Sequence, residues 1–193
     1  MQISVSFKYL SSNESYMRIV ISGTPGSGKS TAARLLAERL GYRHFSMGDF
    51  QREIAREKGI TINELSKLEE KDDRIDRMVD ERQRELGKKE DDLVIDSRLG
   101  VKFIPHADFR IFLDCKMDER ARRIYGHKRS DEAGDIDSVK EKMSQREKSE
   151  EKRFRDYYGF DYKDKRHYNV CIDTTELKEG EVVDKILEKI QVR

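Results

Sequence analysis

Cysteine is scarce in this chain. Only Cys115 and Cys171 occur in 193 residues, and no C-x-x-C or Cys/His spacing surrounds them, so neither a zinc motif nor a disulfide framework is indicated. Each ends or lies within an apolar, strand-like run, and both are expected as small buried residues in a reducing, cytoplasmic compartment. Long hydrophobic runs are missing too. None approaches the roughly 18 residues of a membrane span, and the first 16 residues lack the apolar stretch of a signal peptide. Charge of one sign is also lacking. Forty Lys and Arg stand against 39 Asp and Glu, intermixed along the chain, for a formal net charge of +1. That leaves no nucleic-acid stripe and no polybasic membrane block. Repeats and low-complexity linkers are absent. The four histidines, His44, His106, His127 and His167, stand in no partner pattern and are expected at ordinary surface or core positions.

What the chain does have is charge: 41% of its residues are charged and 35% hydrophobic, a heavily solvated surface around a modest core. The length fits one domain, residues 17–193, after an N-terminal extension over residues 1–16. Ile3, Val5, Phe7 and Tyr9 alternate there, so an added edge strand is the other reading of that extension.

Arg18–Ser22 is an apolar strand-like run, and a helical pattern begins at Thr31. Between them lies Gly23-Thr24-Pro25-Gly26-Ser27-Gly28-Lys29-Ser30, which fits G-x-x-x-x-G-K-[ST]. Glycines there let successive backbone N–H groups point at one anion, and the helix N-terminus adds its positive end. This is the signature of a nucleoside triphosphate site. Lys29 is expected on the β- and γ-phosphates and the Ser30 hydroxyl on Mg²⁺.

Further strand-like runs at Leu93–Asp96, Phe109–Leu113 and Val170–Ile172, with a short one at Tyr42–Phe45, alternate with helical patterns. The expectation is an α/β three-layer fold with a five-stranded parallel sheet, its ligands at the carboxyl ends of the strands. Residues 46–88 read as a small helical subdomain over that edge, and residues 120–135 as a short mobile flap. Asp72, Asp73, Asp76 and Asp80 are expected to form a solvated face rather than a metal site. Asp96 ends its strand either as the magnesium-associated acid of the second nucleotide motif or as an ordinary turn residue.

The arginines narrow the chemistry. Transfer between two phosphates brings two polyanions together, so catalysis there is charge neutralisation and alignment. A phosphomonoester with a second pKa near ~6 is already largely dianionic at pH 7 and needs no general base. Arg52, Arg98, Arg120, Arg123, Arg129, Arg146 and Arg153 come from separate segments, as such a reaction demands. In the helical pattern around 136–157, the apolar stripe of Val139 and Met143 passes through Arg146, Glu150 and Arg153 before Phe154. Either this face lines a cleft, or the helix leaves the core and rotates outward.

These motifs occur together in an order that resembles the nucleoside monophosphate kinases, most closely the archaeal-type cytidylate kinases. They are Gly23–Thr31, Ser46-Met47-Gly48-Asp49-Phe50-Gln51-Arg52, Asp96-Ser97-Arg98-Leu99-Gly100, Ile111–Asp114, Glu119–Arg123, Arg146–Arg153, Tyr158–Asp161 and Ile172–Thr175. The resemblance implies a P-loop fold with monophosphate-binding helices and a lid, and ATP-dependent phosphorylation of CMP and dCMP with Mg²⁺ by a monomer. It implies that Gly23, Thr24, Pro25, Gly26, Ser27, Gly28, Lys29, Ser30 and Thr31 hold ATP, with Thr174 and Thr175 beside its adenine. Ser46, Gly48, Arg52 and Arg98 would bind the acceptor. Arg146 and Arg153 would clamp it, and Glu150 would lie near its ribose or base. Arg123 and Arg129 would act with Lys29 and Arg153 on the transferring phosphate, and Ser30 and Asp96 would serve the metal. Leu99 stands where related bacterial enzymes carry an acid, and the short lid has no cysteines, unlike zinc-lid adenylate kinases. Adenylate kinase is the neighbouring reading within the class. A P-loop ATPase or GTPase switch is the more distant one, and neither a guanine-reading Asn-Lys-x-Asp motif nor switch loops with a catalytic Gln or Thr support it.

Overall fold

The computed structural model describes residues 17–89, 91–126 and 135–190. Residues 1–16 and Arg129 therefore lie outside the described residues. Five parallel strands form one sheet: β1 (Arg18–Gly23), β2 (Arg43–Ser46), β3 (Leu93–Asp96), β4 (Phe109–Asp114) and β5 (Val170–Asp173), in the order β2-β3-β1-β4-β5. Arg18 to Ile21 pair with Leu93 to Asp96 on one side, and Ile19 to Gly23 with Phe109 to Leu113 on the other. The strand order reverses at β1, so the loop after β1 opens at the switch point where such sheets bind ligands.

Strand alternation builds two cores. Ile19 and Ile21 face α1 (Lys29–Leu40) and α8 (Glu179–Ile190), packing with Leu36, Val183 and Ile186. Val20, between them, faces the opposite layer with Ile95, Phe112, Phe154 and Tyr162. That layer includes α4 (Arg74–Lys89), α5 (Gly100–Phe103) and α7 (Ile136–Tyr158). A Cβ on Gly100 would lie 2.7 Å from Val20 Cγ1, so α5 sits hard against the central strand. Cys115 is buried, but Cys171 is exposed, contrary to expectation. It lies on the edge strand β5, where alternation turns Val170 and Ile172 inward and Cys171 outward.

Over the strand ends sit α2 (Met47–Glu57) and α3 (Ile62–Glu69), with a small core of Ile54, Ala55, Ile62 and Leu65. Thr61 and Glu64 form a reciprocal capping box at the start of α3. In the segment read as a flap, residues through Gly126 end α6 (Met117–Gly126), whose Ala121 and Ile124 pack on Val139 and Met143 of α7. Among the described residues no helix is long and apolar enough to cross a membrane.

Candidate active site

The loop between β1 and α1 bends through Gly26 (φ 77°) and Gly28 (φ 88°), backbone that L side chains rarely adopt. Its floor is tied down from below. Thr174 Oγ1 donates to Ser27 O at 3.0 Å, and Arg120 donates to Pro25 O at 3.2 Å while pairing with Glu147. Arg120 is thus a buried prop under the loop. Ser30 Oγ donates to Asp96 Oδ1 at 2.9 Å, a contact that follows from register, since Asp96 lies beside Ile21 across the β1/β3 pair. Ser46 Oγ donates to the same oxygen at 3.2 Å, and His44 Nε2 lies 2.9 Å from Asp96 Oδ2. His44 therefore has a partner that its sequence context did not suggest.

A hydroxyl hydrogen-bonded to a strand-end carboxylate suits Mg²⁺, which takes few protein ligands and completes its octahedron with water and phosphate oxygens. Ser30 and Asp96 fit that role. Among the described residues no group of three or more His, Cys, Asp or Glu is placed to hold a metal by itself.

A cleft of about 580 Å³ runs across this edge. At its centre lie Lys29, Arg98 and Arg146 around Glu150. Arg98 Nε is 2.6 Å from Glu150 Oε2, and Arg146 Nε donates to Glu150 Oε1 at 3.0 Å. Arg146, Glu150 and Arg153 are all buried, so α7 keeps its charged face inward and does not rotate out. Burial works against the Glu150 charge, but Arg98, Arg146, Arg153 and Lys29 outweigh it and hold the carboxyl below its ordinary value. Burial likewise opposes the Arg98 charge, and Glu150, Tyr162 and Glu147 together more than offset it. Lys29 has no such compensation. Burial first, then Arg98, bring its ammonium down to about 7, and Asp96 and Glu150 only partly counter this. Its Nζ donates to Thr24 O at 3.3 Å.

Triphosphate binding places negative charge on that amine and should restore its proton. Calorimetry of ATP·Mg²⁺ binding in buffers of different ionisation enthalpy is therefore expected to show uptake of close to ~1 proton at pH 8 and little at pH 6. Equal uptake at both pH values would contradict the lowered Lys29.

Other expected residues divide into two groups. Residues 25–31, Gly48, Arg52, Asp96, Arg98, Arg123, Arg146 and Glu150 line the cleft. Gly23, Thr24, Ser46, Arg153, Thr174 and Thr175 are not among its lining residues. Thr174 accepts from Arg123 at 3.1 Å and so fixes that arginine at the cleft wall. Arg153 is packed behind the wall, 2.5 Å from Glu69 Oε2 and 2.8 Å from Asp76 Oδ2. Asp76 and Asp80 are buried rather than solvated, because α4 turns that face inward against α7. Burial raises Asp76 to about 7 despite Arg153, and Asp80 to about 6. With Gln83 they line one end of the cleft, and Leu177 to Gly180 line the other.

The model of the cytidylate kinase-like family matches residues 18–176. The chain is 44% identical over 162 residues to the cytidylate kinase of Natronomonas pharaonis, covering 83% of this chain and 82% of that one. It is 41% identical over 175 residues to the cytidylate kinase of Halorubrum lacusprofundi, covering 90% and 89%. Among solved structures it is similar to a shikimate kinase from Bacteroides thetaiotaomicron, with a TM-score of 0.65 at 17% identity over 91% of this chain and 98% of that one, a likeness of fold alone. The matched span runs from β1 past β5 to Glu176 and takes in the cleft except for its Leu177–Gly180 end, and on this match the chain belongs to the cytidylate kinase-like family.

Proposed function

We propose that the protein transfers the γ-phosphoryl group of ATP to the phosphate of CMP and dCMP, giving ADP with CDP or dCDP. The observation that carries this is the convergence of Lys29 of α1, Arg98 of the loop after β3, Arg123 of α6 and Arg146 of α7 on one cleft beside the Ser30–Asp96 pair. Names carried by the relatives supply the base. An acceptor phosphate oxygen attacks the γ-phosphorus, and the bond from phosphorus to the β–γ bridging oxygen breaks. The acceptor is already a dianion, so no side chain has to take a proton. Lys29 and the loop N–H groups hold the β- and γ-phosphates, and Arg98, Arg146 and Arg52 hold the acceptor phosphate. Arg123 stands on the donor side, fixed by Thr174. Ser30 and Asp96 would hold Mg²⁺, which when bound would supply further neutralisation of the phosphates. Donor adenosine lies toward Leu177–Gly180, next to Thr174 and Thr175, and the acceptor nucleoside toward α4. The protein is taken to act as a monomer, and its free thiols suit a cytoplasmic setting.

The test is ADP release from ATP·Mg²⁺ alone and with CMP, dCMP, UMP, AMP or GMP. CMP and dCMP are expected to stimulate it far more than AMP or GMP. Stimulation by AMP instead would make this an adenylate kinase, and steady hydrolysis indifferent to acceptors would overturn the kinase reading.

A further inference from the structure

The α4 end of the cleft has an order that the charge cluster at its centre does not explain. Asp80 and Gln83 are neighbours one turn apart on the buried face of α4 and both line the cleft. One oxygen of the Asp80 carboxylate, Oδ2, accepts from Tyr158 OH, which leaves Oδ1 as an acceptor. Gln83 is 1% exposed, and its Oε1 accepts from Ser97 Oγ. Its amide nitrogen donates to no group among the described residues, and since Gln83 lines the cleft, that N–H₂ is a donor it can offer there. Asp76, the other buried acid on this face, is engaged by Arg153. The cleft wall here thus presents one acceptor beside one donor. Val79, Leu99 and Phe154 supply apolar surface around them, suited to the faces of a flat ring.

We propose that Asp80 and Gln83 read the hydrogen-bonding edge of the acceptor base and select a pyrimidine with an amino group over one with a carbonyl at the same position. This rests on the reading of the cleft as a nucleoside monophosphate site. Cytosine offers its 4-amino donor next to the N3 acceptor, so Asp80 accepts from the amine while the Gln83 amide donates to N3. Uracil offers O4 next to N3–H, and both contacts then set like against like. At pH 8 the Asp80 carboxyl, lifted by burial to about 6, is ionised and accepts only. Each mismatched contact is expected to cost on the order of 10- to 100-fold in kcat/KM.

The experiment compares kcat/KM for CMP and UMP at pH 8, and their binding by calorimetry, in wild type, Asp80→Asn, Gln83→Glu and Tyr158→Phe. In Asp80→Asn the amide oxygen keeps the Tyr158 hydrogen bond and an N–H₂ replaces the free oxygen. The CMP/UMP ratio is expected to fall by about 100-fold through loss for CMP and gain for UMP. Gln83→Glu replaces the donor facing N3 by an acceptor and should move the ratio the same way. Tyr158→Phe removes the same hydrogen bond but keeps the carboxylate, and should leave the ratio unchanged. If both α4 variants fold, as judged by circular dichroism, and lose CMP and UMP in proportion, the inference is wrong. Wild-type protein that turns over neither CMP nor dCMP would instead sink the acceptor reading on which it stands.

Discussion

Replacing Lys29 with methionine is expected to slow phosphoryl transfer by about 10²- to 10³-fold and yet raise the melting temperature of the ligand-free protein. Both effects come from one placement. Lys29 lies half-buried in the cleft, and its strongest charged neighbour is another cation, Arg98. Folding therefore lowers its pKa from 10.5 to about 7. A base lowered by folding holds fewer protons in the native than in the unfolded state between those values, so stability rises with pH across that window. Below pH 7 the penalty is fully present and is on the order of 4 kcal/mol. Above 10.5 it vanishes. Methionine fills the same volume without the charge. It should gain several degrees at pH 6, at roughly 2–4 °C per kcal/mol for a domain of this size, and almost nothing near pH 10. Turnover should fall by about 10²- to 10³-fold, since the lost group neutralises the phosphates in the transition state. Scanning fluorimetry at pH 6 and pH 10, alongside the kinase assay, checks both halves. A variant less stable than wild type at pH 6 would mean that Asp96 and Glu150 already compensate the ammonium.

Much of this frame was legible because it obeys short periods. All five strands lie where apolar runs were expected, and the phosphate loop follows the first of them. The charged stripe of α7 was also visible, since Arg146, Glu150 and Arg153 continue the spacing of Val139 and Met143. What escaped was polarity used as core. On α4 the buried positions Asp76, Val79, Asp80, Gln83 and Leu86 follow helical spacing, but three of the five are polar. Met78, the apolar residue between them, is 53% exposed, so hydrophobicity alone marks the wrong face of this helix. The tertiary partners that make such burial tolerable, Arg153, Tyr158 and Ser97, lie 14 to 78 positions away in sequence. His44 escaped for the same reason. It reaches Asp96 only because β2 pairs with β3, with Ser46 opposite Asp96. Single-chain spacing carries local periodicity well and pairings across the fold poorly.

Arg98→Ala is expected to reduce turnover of CMP by about 10³-fold, the loss typical when a fixed positive charge is removed from a phosphoryl-transfer site. The fold fixes this arginine from both sides. Ser97 N donates to Ile21 O at 3.0 Å and Ser22 Oγ donates to Arg98 O at 3.2 Å, so its backbone is stitched to β1. Next to it, Leu99 is buried and Gly100 abuts Val20. The guanidinium is held by Glu150, so it meets the acceptor phosphate already oriented. The same pairing complicates a single substitution, because alanine leaves Glu150 buried with Arg146 as its main remaining partner. Breaking a buried pair from one side costs about 3–5 kcal/mol, and a partly unfolded enzyme would also be slow. The double variant Arg98→Ala/Glu150→Gln separates the two causes. Its melting temperature should return most of the way to wild type, because the orphaned charge is gone. Its turnover should stay low, because one of the three arginines that neutralise the acceptor phosphate is gone. Arg98→Lys should fall between, keeping the charge but losing the planar fork. Recovery of turnover together with stability in the double variant would assign Arg98 the task of neutralising Glu150 alone, and would leave the acceptor phosphate to Arg146 and Arg52.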